Sequence, residues 1–407
     1  MADMSPRKAA AVFAALAFGY FFSTLIRAIT ATLAPTLVQE FSLNARDLGL
    51  LAGGYFIGFS ATQLPLGQWL DRFGPKRVVL VFLSIAVLGC LAFSTASSFY
   101  GLLAARILSG VGVSACLMAP LTGYRRWFAP ENQMRANSWM LMVGAMGMVA
   151  STLPVQWLLP ITGWRPIFMG LAVLVIVAML VIAWQVPAWD IHPSSTSAPT
   201  SAAGGYAQVW RNAYFRRMAP MGFFNYGGLV AIQTLWATPW MVKVAGYTPL
   251  QAATGLFGIN VAMLLAFWAW GAVNPWLARK GFSANRLIAY GLPPSILLIA
   301  IISVAGSAIT AGAAWVFLLY CVASTVVAMA QPAVAMAFPS ELAGRALSAY
   351  NLVIFSGVFV VQWGIGLLID GLRSAGWGEP QAYQGALGIY GACCFAAYVY
   401  FLAAKKT

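Results

Sequence analysis

Arg27 is the residue of this chain best placed to do chemistry. It lies inside the apolar stretch 10–36, far from either end. A charge at such depth costs at least ~2.5 kcal/mol, so it needs a compensating role. Tyr20, Ser23, Thr24, Arg27, Thr30 and Ala31 keep an i, i+3, i+4, i+7 spacing, which gives an otherwise apolar helix one polar stripe. A guanidinium there is a two-pronged receptor for carboxylate or phosphate. An internal pair, a backbone contact or snorkelling toward the surface are the competing readings. A second arginine, Arg106, lies nearer one end of the stretch 100–121, where packing or interhelix hydrogen bonding suits it better than substrate contact.

Neutral polar groups complete the candidate substrate set. With Arg27 it comprises Tyr20, Thr24, Tyr55, Asn225, Gln233, Trp236, Tyr320 and Asn351. Each is weighed against simple hydrogen bonding between helices. Regular winding puts Tyr226, Gln233 and Trp236 close to one face. The nine acids (Asp3, Glu40, Asp47, Asp71, Glu131, Asp190, Glu341, Asp370, Glu379) all fall at helix ends or in loops. No buried carboxylate or histidine is available to carry a proton by a shifted pKa. Three couplings remain: a substrate that titrates beside Arg27, a proton on Glu40 or Asp47, or uncoupled exchange. HExxH, GxSxG and phosphate-loop signatures are absent, so no enzyme, cofactor or metal is expected. The five cysteines (Cys90, Cys116, Cys321, Cys393, Cys394) read as apolar packing residues.

Twelve apolar stretches must position these residues. They run over 10–36, 46–66, 78–98, 100–121, 136–158, 166–186, 218–241, 250–272, 286–305, 311–332, 346–369 and 382–402. Each is near the roughly 20 residues that cross a bilayer. Lipid offers backbone groups no partner, so each is expected to be a helix. The segment 187–217, centred on HPSSTSAPTSAAGG (192–205), reads as a flexible linker, and its His192 as a bystander. It separates a first half, 1–186, from a second, 218–407. Small-xxx-small pairs Gly49/Gly53 and Gly54/Gly58 mark close packing, and Pro154, Pro293 and Pro294 mark loosened helices.

The net charge of +14 is a topology signal. With both termini inside, Arg7, Lys8, Arg72, Lys76, Arg77, Arg125, Arg126, Arg135, Arg211, Arg216, Arg217, Arg279, Lys280, Arg286, Arg345, Lys405 and Lys406 lie inside; only Arg46, Arg165, Lys243 and Arg373 lie outside. Cytoplasmic loops carry such an excess. A multi-pass protein of a bacterial-type inner membrane with cytoplasmic termini is expected, without nucleic-acid partners and as a monomer.

The loop after the second stretch reads Gly67-Gln-Trp-Leu-Asp71-Arg72-Phe-Gly74-Pro-Lys76-Arg77. It is similar to the G-x-x-x-D-R-x-G-x-[RK]-[RK] loop of the major facilitator superfamily. Arg106-x-x-x-Gly110-x-Gly112 and Gly163-Trp164-Arg165-x-x-Phe168 resemble further motifs of that family. The resemblance implies an all-α membrane fold of two six-helix bundles, with helix 1 lining a central cavity and alternating access to it. It implies a gating role for Gly67, Asp71, Arg72, Gly74, Lys76, Arg77 and Arg106, with Asp71 facing the helix start near 343–347. Gly67 and Gly74 would allow a tight turn and close helix approach. Arg27 resembles helix-1 arginines of organic-anion members. Phosphate esters are disfavoured because the seventh helix lacks a second arginine. The fifth stretch reads VGAMGMVASTLP, without the G-P-x-x-G-G run of proton-coupled drug exporters. Uptake of a small carboxylate, with proton symport as one option, is therefore the first expectation. Efflux of drugs by proton antiport is the alternative.

Overall fold

The computed structural model describes residues 4–128, 130–188 and 202–404, and every regular element among them is helical. The first half holds α1 (Pro6–Phe41), α2 (Ala45–Ala61), α3 (Gln63–Phe73), α4 (Pro75–Thr95), α5 (Phe99–Val113), α6 (Ala115–Trp127), α7 (Pro130–Ala150), α8 (Leu153–Thr162) and α9 (Trp164–Gln185). The second holds α10 (Ala202–Arg211), α11 (Ala213–Pro220), α12 (Gly227–Ala231), α13 (Ala237–Lys243), α14 (Pro249–Arg279), α15 (Ala284–Gly291), α16 (Pro293–Ala305), α17 (Ala313–Ser324), α18 (Ala330–Met336), α19 (Ser340–Ser374) and α20 (Glu379–Ala403).

Among the described residues, nine helices are long and apolar enough to cross a membrane, and ten if the bent pair formed by α7 and α8 counts as one span. Two expected spans fall outside that count because their helices are interrupted. The stretch expected at 46–66 is divided at Thr62 into α2 and α3. The stretch expected at 218–241 is α11, α12 and α13 with π-helical turns at Met221–Tyr226 and Ile232–Trp236 between them. The α7–α8 bend of 41° lies just before Pro154, whose ring cannot continue the preceding hydrogen-bond ladder.

Local sequence accounts for the boundaries. Gly74, at φ 77°, closes α3, and Pro75 opens α4 where a missing N–H costs nothing. The Ser98 hydroxyl accepts from Gly101 N–H at the start of α5, and Asn212 accepts from Phe215 N–H at the start of α11. Apolar side chains also point outward: on α9, Val173, Leu180 and Trp184 are 58%, 65% and 83% exposed. A surface of this kind on a 22-residue apolar helix belongs in lipid.

Two compact units emerge from the contacts: residues 1–29 with 54–196, and residues 30–53 with 197–407. In the first, α4 packs between α5 and α9. A Cβ on Gly112 would run into the backbone of Ala86, and one on Gly110 into the carbonyl of Tyr55. In the second, a core of Val209, Phe215, Met218, Tyr350 and Phe401 gathers α10, α11, α19 and α20. The expected linker reaches into that core at its C-terminal part. Residues 202–211 are helical because Val209 and its neighbours have an apolar cluster to join. His192 lies outside the described residues. Arg217 ties the C-terminal helix to the same core through a 2.7 Å bond from Nε to the carbonyl of Phe401.

Candidate functional site

Three helices of the first unit place the arginines. Arg27 is half-buried on α1, its guanidinium 5.5 Å from the centre of the Phe59 ring of α2. It interacts with the phenols of Tyr20 and Tyr55. Tyr55 also donates to the carbonyl of Ser23 at 3.4 Å. Gly144 and Gly147 of α7 leave room for the Tyr20 ring and the Thr24 hydroxyl; a Cβ at either glycine would collide with them. Thr24 donates to the carbonyl of Phe21 at 3.0 Å, so its hydroxyl is engaged on its own helix.

Arg106 has a different environment. It is 0% exposed. From α5 it donates through Nη1 to the carbonyl of Ile26 at 2.8 Å and through Nη2 to that of Arg27 at 3.4 Å. Its guanidinium lies 5.0 Å from the centre of the Tyr55 ring. One arginine thus fixes the backbone that carries the other. A guanidinium spread over two carbonyls and an aromatic face is held on several sides at once.

The second-half candidates are engaged within the second unit. Gln233 donates to Asn260 of α14 at 2.7 Å, whereas the Trp236 indole donates to the carbonyl of Gln362 of α19 at 3.0 Å. Gln233 and Trp236, expected near one face with Tyr226, bond to different neighbouring helices from within the π-helical turn at Ile232–Trp236. Gln362 in turn donates to Thr234 at 3.0 Å. Asn225 donates to the carbonyl of Cys394 at 3.4 Å, Tyr320 shares a 2.7 Å hydrogen bond with Tyr390, and Asn351 accepts from Gln331 at 2.6 Å.

The basic loop divides by residue. Gly74 makes the expected turn, but Gly67 lies inside α3 with open space where a Cβ would be, so no close approach depends on it. Arg72 and Arg77 are exposed, Lys76 is half-buried, and Arg72 lies 5.1 Å from the Phe73 ring. The side chain of Asp71 lies outside the described residues.

A contact that the sequence reading missed occupies the opposite end of α2, in the second unit. Asp370, in the last turn of α19, accepts from the N–H groups of Ala45 and Arg46 at 3.2 and 2.8 Å. Asn44 accepts from the Asp47 N–H at 2.8 Å. Three of the four open donors of the helix start are thereby satisfied. The carboxylate also gains about 0.3–2 kcal/mol from the positive helix end. Below it, Gly49 and Gly366 let the backbones of α2 and α19 touch: a Cβ on Gly49 would meet the carbonyl of Gln362, and one on Gly366 the carbonyl of Ala45. The available signal was positional. Asp370 ends α19 much as Asp71 lies near the end of α3, yet as one acid among several at helix ends it carried no motif of its own. Nearby, Glu379 pairs with Lys243 at 3.4 Å, and Asp47 with Arg46 at 3.4 Å.

An all-helical membrane-spanning chain with this basic loop and these glycine-packed helices defines a transporter-type fold. The profile of the Major Facilitator Superfamily matches residues 16–362, and the chain belongs to that family, whose members are transporters rather than enzymes. A gallate transporter of Pseudomonas putida is 24% identical over 64% of this chain and 64% of its own length. A hexuronate transporter of Escherichia coli (strain K12) is 22% identical over 70% of this chain and 61% of its own. The chain thus spans less than two thirds of the length of these relatives. The crystal structure of a D-xylose–proton symporter shares the fold at a TM-score of 0.78 and 14% identity, covering 97% of each chain.

Proposed function

We propose that this multi-pass membrane protein is a secondary transporter that takes up a small organic anion, with the substrate carboxylate held by Arg27. The observation that carries the reading is the contrast between the two arginines of the first unit. Arg106 is fully buried and spread over the main chain of α1, whereas Arg27 is half-buried and framed by the Tyr20 and Tyr55 phenols. A guanidinium beside the Tyr20 hydroxyl forms a donor set suited to a planar carboxylate, which the Tyr55 hydroxyl joins by exchanging its bond to Ser23. Gallate and hexuronate, named in two relatives, are both carboxylates. The neutral residues of the second half, Asn225, Gln233, Trp236, Tyr320 and Asn351, then supply hydroxyl and ring recognition once their present bonds are exchanged for substrate.

The mechanism is alternating access, in which two six-helix halves rock about the bound solute. The Asp370 contact with the start of α2 closes one side. The loop from Gly67 to Arg77, with Asp71, Arg72, Gly74 and Lys76, closes the other, which faces the cytoplasm together with both termini. The protein acts as a monomer in the inner membrane of a bacterium. Three couplings fit this reading: a solute that titrates beside Arg27, a proton on Glu40 or Asp47, or uncoupled exchange.

The test is uptake of labelled aromatic and sugar-derived carboxylates into proteoliposomes, paired with thermal shifts of the purified protein. Arg27→Ala is expected to lower carboxylate uptake about tenfold or more, and Arg27→Lys to retain part of it, since charge survives but the two-pronged geometry does not. Full carboxylate uptake by Arg27→Ala would remove the anion assignment. Shifts with lipophilic cations in its place would favour drug efflux.

A further inference from the structure

Between α3 and α4 the first unit opens a crevice of about 520 Å³ on its outer surface. That is the size of a small-ligand pocket, about 300–1,000 Å³. Trp69 and Phe73 form one wall, and Val81, Phe82 and Ile85 the other. The Trp69 and Phe82 rings lie 5.8 Å apart. Thr62, also in the lining, donates to the carbonyl of Phe59 at 2.9 Å, so its hydroxyl is already engaged. Trp69, Phe73 and Val81 are 37%, 40% and 59% exposed, which leaves the opening apolar.

Arg77, the one charged residue among the described residues that line the crevice, adds almost no polar surface to it. Arg77 lies at the rim, exposed, in the first turn of the membrane-length helix Pro75–Thr95. Its guanidinium is therefore at the level of lipid headgroups, while the crevice below it is at the level of acyl chains. Arg72 and Lys76 add two cations to the same short segment, against one acid, Asp71. Basic residues beside a membrane surface attract anionic headgroups, and a guanidinium matches a phosphate through paired hydrogen bonds.

The geometry points to a binding site for one anionic phospholipid, with an acyl chain in the α3–α4 crevice and its phosphate on Arg77. Zwitterionic lipid fills the crevice equally well but brings a second, positive group to a rim that already holds cations. The site needs only the membrane-spanning fold and is independent of the transported solute.

Native mass spectrometry of the full chain, purified in the presence of equal phosphatidylglycerol and phosphatidylcholine of the same acyl length, tests the site. The wild type is expected to retain phosphatidylglycerol about threefold or more over phosphatidylcholine. Arg77→Gln should bring that ratio to about one. Val81→Trp, at an exposed position that tolerates bulk, should fill the crevice and lower retention of both lipids. Quenching by phosphatidylglycerol with brominated chains should be smaller in Trp69→Phe than in the wild type. Equal retention of the two lipids by the wild type, or a ratio unaltered by Arg77→Gln, overturns the proposal. So does undiminished lipid retention in Val81→Trp, or dimers in place of bound lipid.

Discussion

Arg27 and Arg106 show how far residue type alone can be read. Both were visible as charges within apolar stretches, and the cost of burying them marked both as purposeful. Their different tasks were not visible, because these depend on what α1 and α5 bring within reach. Arg106 meets two carbonyls and an aromatic face; Arg27 meets two phenols. Gly110, in the same motif as Arg106, is a packing site: the carbonyl of Tyr55 occupies the space its side chain would need. Removing the Arg106 guanidinium should therefore act on stability before substrate affinity. Arg106→Ala is expected to lose about 1–3 kcal/mol from charged hydrogen bonds and packing, and Arg106→Lys to recover little of it. Thermal unfolding in detergent measures this. A midpoint identical to wild type in both variants would mean that the two carbonyl bonds contribute nothing.

Among the elements, α2 shows how glycine spacing becomes mechanism. Gly54 and Gly58 leave room for Leu103 and Ile107 of α5, while Gly49 and Gly53 leave room for Gln362 and Phe359 of α19. The spacing forecast close packing but could not name the partners, which are distant in sequence. The acid that seals the α2–α19 contact was even less legible, since Asp370 is separated from Ala45 by 325 residues. Asp370→Asn keeps an acceptor but removes the charge at the helix start, weakening the closed side by about 0.3–2 kcal/mol. Gly49→Leu goes further, because its side chain has no space against the Gln362 backbone. Both variants are expected to shift the protein toward the state open at the start of α2. Hydrogen exchange of the backbone amides that begin α2 reports it. Exchange no faster than in the wild type would show that this contact does not hold the gate.

For the whole molecule, composition and hydropathy carried most of the information. The absence of acids from the interior of the apolar stretches and the number of those stretches defined the fold class, because lipid restricts backbone to few solutions. Helix counting was less secure: α2 with α3, and α11 through α13, contain interruptions that hydropathy averages away. The charge asymmetry yields a prediction for the chain as a unit. Reporter fusions after Ala404 should be active only on the cytoplasmic side, and fusions within the 375–378 loop only outside. The reverse pattern would invert the topology and, with it, the sides assigned to both gates. The wide turns at Met221–Tyr226 and Ile232–Trp236 have a practical consequence for anyone probing this helix. Each residue of regular winding advances about 100° around the axis, so a helical wheel drawn straight through both turns mislabels what lies beyond them. Labels, crosslinkers or designed substitutions along 213–243 must be phased in separate blocks, or lipid-facing and interior positions will be exchanged.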